Sequence, residues 1–346
     1  MMKLPVVDNG FIDACESRRW QGELSDLVTD PAELIQLLQL DPAQLPQALS
    51  AGRQFPLRVP RGFIQRMRRG DPHDPLLLQV LPTAAELRSP PGFSADPLQE
   101  GQVNPQPGIV HKYHGRLLLI AAGQCAVNCR YCFRRAFPYG DNHLGRHQWV
   151  TALEYIRAHT ELREVILSGG DPLVLSDRQL AWLSSELAQT PHLNTLRVHS
   201  RLPIVTPSRI TDALLSWFTS SRLKPVLVLH CNHANEIDAA VRAAMARLRD
   251  AGVVLLNQAV LLKGVNDSCE AQEQLCEALF AADVLPYYLH QLDRVSGAAH
   301  FEVSDEAALT ITAQLRHRLP GYLVPKLVRE IPGVRAKSPL EGRAGE

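Results

Sequence analysis

Lysine is scarce in this sequence. Of its 36 basic side chains only six are lysines, Lys3, Lys112, Lys224, Lys263, Lys326 and Lys337, and the rest are arginines, so a covalent role for an amine has few candidates. Net charge is absent too, because 36 acidic side chains cancel the basic ones. Without a global field a polyanion has to be held by a local patch, so no nucleic-acid or membrane partner is expected. No run of 18 or more apolar residues occurs, which argues against a membrane-spanning helix, and Met1 to Gly10 contain no stretch like a signal peptide, so a cytoplasmic location is expected. There is no glycine-rich dinucleotide fingerprint and no ATP-binding P-loop.

What is present describes an ordinary folded chain. With 346 residues, 45% of them apolar and 21% charged, it has ample material for a large core and suits either two domains or one barrel with additions. Seven cysteines are an odd number, and three of them fall within eight positions. That pattern suits a reducing compartment and a metal or cluster better than a disulfide framework.

Texture divides the chain at about residue 110. Before it lie short helix-like stretches such as Pro31 to Leu40 and a segment rich in proline and arginine from Pro56 to Pro107; this part reads as a helical, wrapping extension. After it come short apolar runs beginning near Leu117, Glu164, Thr195, Val226, Val253, Val284 and Tyr322, each followed by a longer amphipathic stretch. Successive starts from Glu164 to Val284 differ by 31, 31, 27 and 31 residues, the length of a strand plus its crossover helix. Ser176 with Gln179 forms a capping box before one helix, and Asn235 is placed to cap another, Ile237 to Asp250, ended by Gly252. The expectation is an α/β fold, a partial (β/α)6 barrel resembling a TIM barrel. It is divided into an extension (1–110), a barrel core (111–318) and a short carboxyl-terminal segment (319–346). Barrel enzymes keep their chemistry at the carboxyl ends of the strands. Polar groups gather there: Ser168-Gly169-Gly170-Asp171, His199-Ser200-Arg201, His230, and His290 with Asp293.

The most specific feature is Cys125-Ala126-Val127-Asn128-Cys129-Arg130-Tyr131-Cys132, directly after the first barrel strand. Three thiolates on one loop leave a coordination position open. A structural zinc site is closed by four ligands and would need His143 or His147. A four-iron cluster held by three cysteines instead keeps one iron free to bind another molecule. The three-then-two spacing, with Tyr131 beside the last cysteine, resembles the motif of the radical S-adenosylmethionine superfamily. The resemblance implies a [4Fe-4S] cluster on Cys125, Cys129 and Cys132. Its open iron would chelate S-adenosylmethionine and cleave it to a 5'-deoxyadenosyl radical. Ser168, Gly169, Gly170 and Asp171 resemble the element that receives the methionine amino group, paired glycines permitting close backbone approach.

From about residue 75 onward, Cys132-Phe133-Arg134-Arg135, Ser168 to Leu173, His199-Ser200-Arg201-Leu202-Pro203 and Asn232 to Glu236 are similar to the lysine 2,3-aminomutase family. That resemblance implies a second cofactor, pyridoxal 5'-phosphate, which carries the amino group as it migrates from the α to the β carbon, and a lysine bonded to it as a Schiff base. The family's position for that lysine, after a proline-glycine segment, falls on Lys337, with Lys326 as the fallback; Val334, Arg335 and Ala336 depart from the family's glycine-rich run. Arg134 matches the arginine that grips the substrate carboxylate, Asp293 matches an acidic partner for the distal ammonium, and Glu330 stands where the family commonly has aspartate. His230 resembles a residue near the adenosyl group, and Arg116 is placed to reach the cofactor phosphate.

Within the family, Cys129 to Tyr139 look most like the branch that converts (S)-α-lysine to (R)-β-lysine for modification of elongation factor P, a separate ligase attaching the product. The few residues after Lys337 point the same way, since the lysine-fermenting enzymes carry a long carboxyl-terminal extension. The expected partners are L-lysine, an electron donor such as flavodoxin or ferredoxin, and a functional link to the factor and its ligase, with a homo-oligomer left open. Catabolic lysine or glutamate 2,3-aminomutase is the alternative within the family. A zinc-stabilised binding module is the alternative outside it.

Overall fold

The structure, a computed structural model, describes residues 9–88, 90–139 and 146–341. Nine strands form one sheet ordered as they occur in the chain: β1 (Ile109–Tyr113), β2 (Arg116–Ala122), β3 (Glu164–Gly169), β4 (Thr195–Ser200), β5 (Lys224–Leu229), β6 (Val254–Val260), β7 (Leu285–His290), β8 (Lys326–Arg329) and β9 (Ser338–Pro339). From β2 to β8 every neighbour is parallel, whereas β1 and β9 turn back antiparallel onto the two ends. Among the described residues β1 and β9 do not pair, so the sheet is an open, partial barrel of the expected kind. Helices Arg146–Ala158, Asp177–Ala188, Asp212–Thr219, Ala239–Asp250, Cys269–Phe280 and Asp305–Arg318 make the crossovers.

The first six expected runs begin within two residues of β2 to β7. The seventh strand starts at Lys326 rather than near Tyr322, because Gly321–Leu323 form a 3-10 turn first. The Ser176–Gln179 capping box is formed, and Leu180, Leu183 and Leu187 face the core. Asn235 is not a cap. Glu236 folds back to accept from the backbone of Asn232 and His233, which locks 234–236 into a separate turn, and Asp238 caps the helix through Val241 N.

Strand alternation places the site. In β4 and β6, Leu196, Val198, Ser200, Leu255, Asn257 and Ala259 are buried, while Arg197, His199, Leu256 and Gln258 face a cavity inside the curve of the sheet. The extension does not stand apart from this core. Val28, Leu34, Leu57 and Phe63 share one hydrophobic cluster with Leu117, Leu167, Leu229 and Leu327. No helix of the described residues is long and apolar enough to cross a membrane.

Candidate active site

The cavity measures about 700 Å³, and every residue assigned a role from the sequence lines it: Cys125, Cys129, Cys132, Ser168, Gly169, Gly170, Asp171, His230, Arg116, Arg134, Asp293, Glu330 and Lys337. Lys326, at the exposed start of β8, does not.

The cysteine end is built by backbone approach. Gly170 N donates to Ala122 O at 2.7 Å and Asp171 N to Gln124 O at 2.8 Å, pinning the loop after β3 to the segment entering the cysteine loop. A Cβ on Gly170 would lie 2.3 Å from Gln124 O, and one on Gly169, whose φ is +113°, 2.6 Å from Ala122 O. The glycines are therefore required by the cysteine loop itself, whatever else they approach. Asp171 is a structural pin: its carboxylate accepts from Leu173 N, Ser200 Oγ, Arg201 N and Leu202 N.

The far side of the cysteine loop is held by the extension. Asn128 N donates to Arg58 O and Arg130 N to Gln79 O. The buried Arg130 guanidinium pairs with both oxygens of Glu86, which also accepts from Arg135 at 2.9 Å. All three cysteines are free thiols. Burial and the neighbouring sulfurs push the Cys132 thiol up to about 11 and Cys125 well above its usual range. No group of three His, Cys, Asp or Glu side chains among the described residues is arranged to hold one metal ion. His143 lies outside the described residues, and nothing is described of the His147 side chain. Three soft donors lining one cavity, with no fourth grouped with them among the described residues, fit a cluster with one open iron.

Arg134 crosses the middle of the cavity. Its Nε and Nη2 grip Glu100 at 2.7 Å each, and Nη1 donates to Ser168 Oγ at 3.2 Å and Gly169 O at 3.3 Å. The fork expected for a substrate carboxylate is thus occupied by a residue that the sequence reading passed over. Above it, the His199 and His230 rings meet edge to face at 6.0 Å. Burial lowers both, His230 to about 3, so they are neutral imidazoles, and the buried Nε2 of His199 has no partner among the described residues.

The far end holds the amines. Lys337, brought back beside β8 by the short β8–β9 pairing, donates from Nζ to Glu330 Oε1 at 2.6 Å and lies 3.4 Å from His290 Nε2. Lys112 of β1 reaches the other Glu330 oxygen at 2.8 Å, and Tyr113 Oη donates to the same carboxylate at 2.9 Å. Burial raises the Glu330 carboxyl, but the Lys337 and Lys112 ammoniums outweigh it and hold it at about 2. Asp293 has no ion pair among the described residues; burial and the nearby Glu330 push it up to about 7. Arg116 lies 4.3 Å over the Tyr113 ring and likewise has no carboxylate partner among the described residues, which leaves it suited to an anion. Lys112 and Glu100 are the components that sequence reasoning missed. The shortage of lysines was the one available signal for the first.

No family model matches the chain. It is 55% identical over 323 residues to an L-lysine 2,3-aminomutase of Escherichia coli K12, covering 93% of this chain and 94% of that protein. An L-lysine 2,3-aminomutase of Haemophilus influenzae is 49% identical over 318 residues, covering 92% and 94%. The chain belongs to the lysine 2,3-aminomutase family. A more distant member, from Clostridium subterminale, is 34% identical over 93% of this chain and 77% of its own length. Among solved structures, a radical SAM methyltransferase from Sphaerobacter thermophilus superimposes with a TM-score of 0.44 over 64% of this chain and 68% of that one at 18% identity, a likeness too distant to carry a conclusion.

Proposed function

We propose that this protein is an L-lysine 2,3-aminomutase, an isomerase that converts (S)-α-lysine to (R)-β-lysine. The observation that carries the reading is the co-location, in one cavity, of three cysteines and a lysine amine set against a carboxylate. When bound, a [4Fe-4S] cluster with S-adenosylmethionine supplies a carbon radical that abstracts hydrogen, and pyridoxal phosphate supplies the conjugated carrier for the migrating amino group. Cys125, Cys129 and Cys132 hold the cluster. Ser168 to Asp171 shape the neighbouring wall, and His230, neutral through burial, would lie near the adenosyl group. Lys337 would hold pyridoxal phosphate through its amine, and Arg116 would hold the phosphate.

Glu330, which lies beside Lys337 and Lys112, and Asp293 would receive the distal ammonium of lysine. Arg134 takes the α-carboxylate in competition with Glu100. Leu118, Ile166, Val226 and Leu256 line the same cavity and keep water from the reacting carbons. The three segments divide the work: 1–110 brace the cysteine loop, 111–318 form the cavity, and 319–346 supply Lys337. The carboxylates at the amine end disfavour a glutamate side chain, so lysine is the better substrate of the two. The product is assigned to modification of elongation factor P by a separate ligase, with a flavodoxin or ferredoxin delivering the electron.

The test is anaerobic reconstitution with iron, sulfide and pyridoxal phosphate, followed by chromatography of products from free lysine. β-Lysine that depends on S-adenosylmethionine and reductant is expected, and K337A should lose it along with the Schiff-base absorption. A colourless zinc protein without turnover, or a fully loaded enzyme that makes no β-lysine, would defeat the reading.

A further inference from the structure

One buried cation takes no part in the roles above. Arg201, directly after β4, is buried and directs both terminal nitrogens into hydrogen bonds. Nη1 donates to Cys129 Sγ at 2.8 Å and to Tyr131 Oη at 2.7 Å, and Nη2 donates to Gln79 Oε1 at 2.6 Å and to Glu236 Oε2 at 3.2 Å. Its Nε is buried without a partner among the described residues.

The guanidinium is fixed from several sides. Asn232 Nδ2 donates to Gln79 Oε1 at 3.0 Å and to Tyr131 Oη at 2.6 Å, so both of those acceptors are held in place. Glu236 also accepts from Gln79 Nε2 and Asn232 N. The Phe63 and Tyr131 rings lie 5.4 and 5.8 Å from the guanidinium carbon. Such a closed network keeps the N–H on the sulfur.

The neighbouring arginines have different partners. Arg130 and Arg134 each grip a carboxylate with two N–H groups, Glu86 and Glu100 respectively. Arg201 has one contact with Glu236, at 3.2 Å, and that carboxylate is shared with other donors. Its positive charge sits on a sulfur.

We propose that Arg201 is a positioning residue for the iron-sulfur cluster, raising its reduction potential by directing an N–H and a positive charge at the Sγ of Cys129. This rests on the reading that Cys129 is a cluster ligand. Reduction adds negative charge that spreads onto the ligand sulfurs, and hydrogen bonds and nearby charge are levers on such potentials. The step is a one-electron transfer: a low-potential donor of the reduced flavin or iron-sulfur class loses one electron and the cluster gains it. No bond forms or breaks at Arg201, and no proton leaves it.

The experiment is a redox titration of anaerobically reconstituted wild type, R201K and R201Q, with the reduced cluster followed by electron paramagnetic resonance. R201Q is expected to lower the ratio of reduced to oxidised cluster at a fixed potential on the order of tenfold, equivalent to about 59 mV for a one-electron couple. R201K, which keeps the charge, should fall between the two. A purely structural role would reduce loading without moving the potential of clusters that do load, so an unchanged potential in loaded R201Q overturns the inference. Where R201Q fails to fold, wild type carrying 15N-labelled arginine guanidinium, without S-adenosylmethionine, should show a nitrogen coupling to the cluster spin that R201K loses. Absence of that coupling also overturns the inference. A wild-type protein that takes up no cluster would sink the functional reading and this inference together, whereas an unmoved potential sinks this one alone.

Discussion

At the scale of single residues, Asp293 and Glu330 are two carboxylates in one cavity with opposite titration. Burial and the Glu330 charge raise Asp293 to about 7, while Glu330 stays ionised down to about 2 because two ammoniums outweigh its burial. In the folded protein Asp293 keeps its proton over a range in which the unfolded chain, with a carboxyl near ~3.9, has released it. Its contribution to stability is therefore full below about pH 4 and is lost as pH rises through about 7. The amide of a D293N variant needs no proton to stay neutral. The melting temperature of D293N relative to wild type, both free of cofactor, is expected to rise between about pH 4 and 7 and then level off; a difference constant with pH would show that Asp293 is not so shifted. The same ionisation governs catalysis. Lysine has to find Asp293 charged, so kcat/KM for lysine should climb toward pH 7, and D293N should lose that limb and roughly tenfold or more in kcat/KM, as the loss of a charged hydrogen bond of about 1.5–3 kcal/mol implies.

At the scale of elements, the cysteine loop is held between β2–β3 backbone contacts on one side and the extension on the other. In G170A the new Cβ meets backbone rather than a movable side chain, so the loop has to shift, and iron content per chain after reconstitution should fall well below wild type. Wild-type iron content in G170A would show that the close approach is dispensable. Removing Glu86 leaves Arg130 and Arg135 buried beside each other without their carboxylate, and E86A is expected to lose about 3–5 kcal/mol in chemical denaturation. A loss under about 1 kcal/mol would mean that the network does not brace the loop. These contacts also mark where sequence reading stops. The parallel strands were legible because buried strands between helices are written as short apolar runs at regular intervals. Strand β1 was not: His111, Lys112 and Tyr113 break its apolar character, and its pairing with β2 comes from the turn at Gly115, which has φ +75°. Nor could spacing reveal Glu100 beside Arg134, or Gln79 and Glu86 behind the cysteines, since each contact joins residues more than 30 apart that only the fold brings together.

At the scale of the molecule, an open sheet has two ends, and here side chains bring them together. Lys112 and Tyr113 belong to β1, the first strand, and Glu330 directly follows β8, so their contacts join the sheet's beginning to its last parallel strand across the gap that backbone pairing leaves. Both partners are nearly buried, with side chains 11% and 10% exposed, which separates this pair from the solvent-screened ion pairs that contribute little. Glu330 therefore has a second task besides receiving an ammonium: it closes the barrel around the cavity. A double-mutant cycle of K112M, E330Q and the pair, measured by urea unfolding of the cofactor-free protein, isolates the link. Each single variant should be destabilised, E330Q more than K112M because it strands two ammoniums. The pair should be less damaged than the sum of the singles, with a coupling of about 1–3 kcal/mol. Independent, additive losses would mean that the open barrel holds its ends by packing alone and that the bridge contributes nothing to closure.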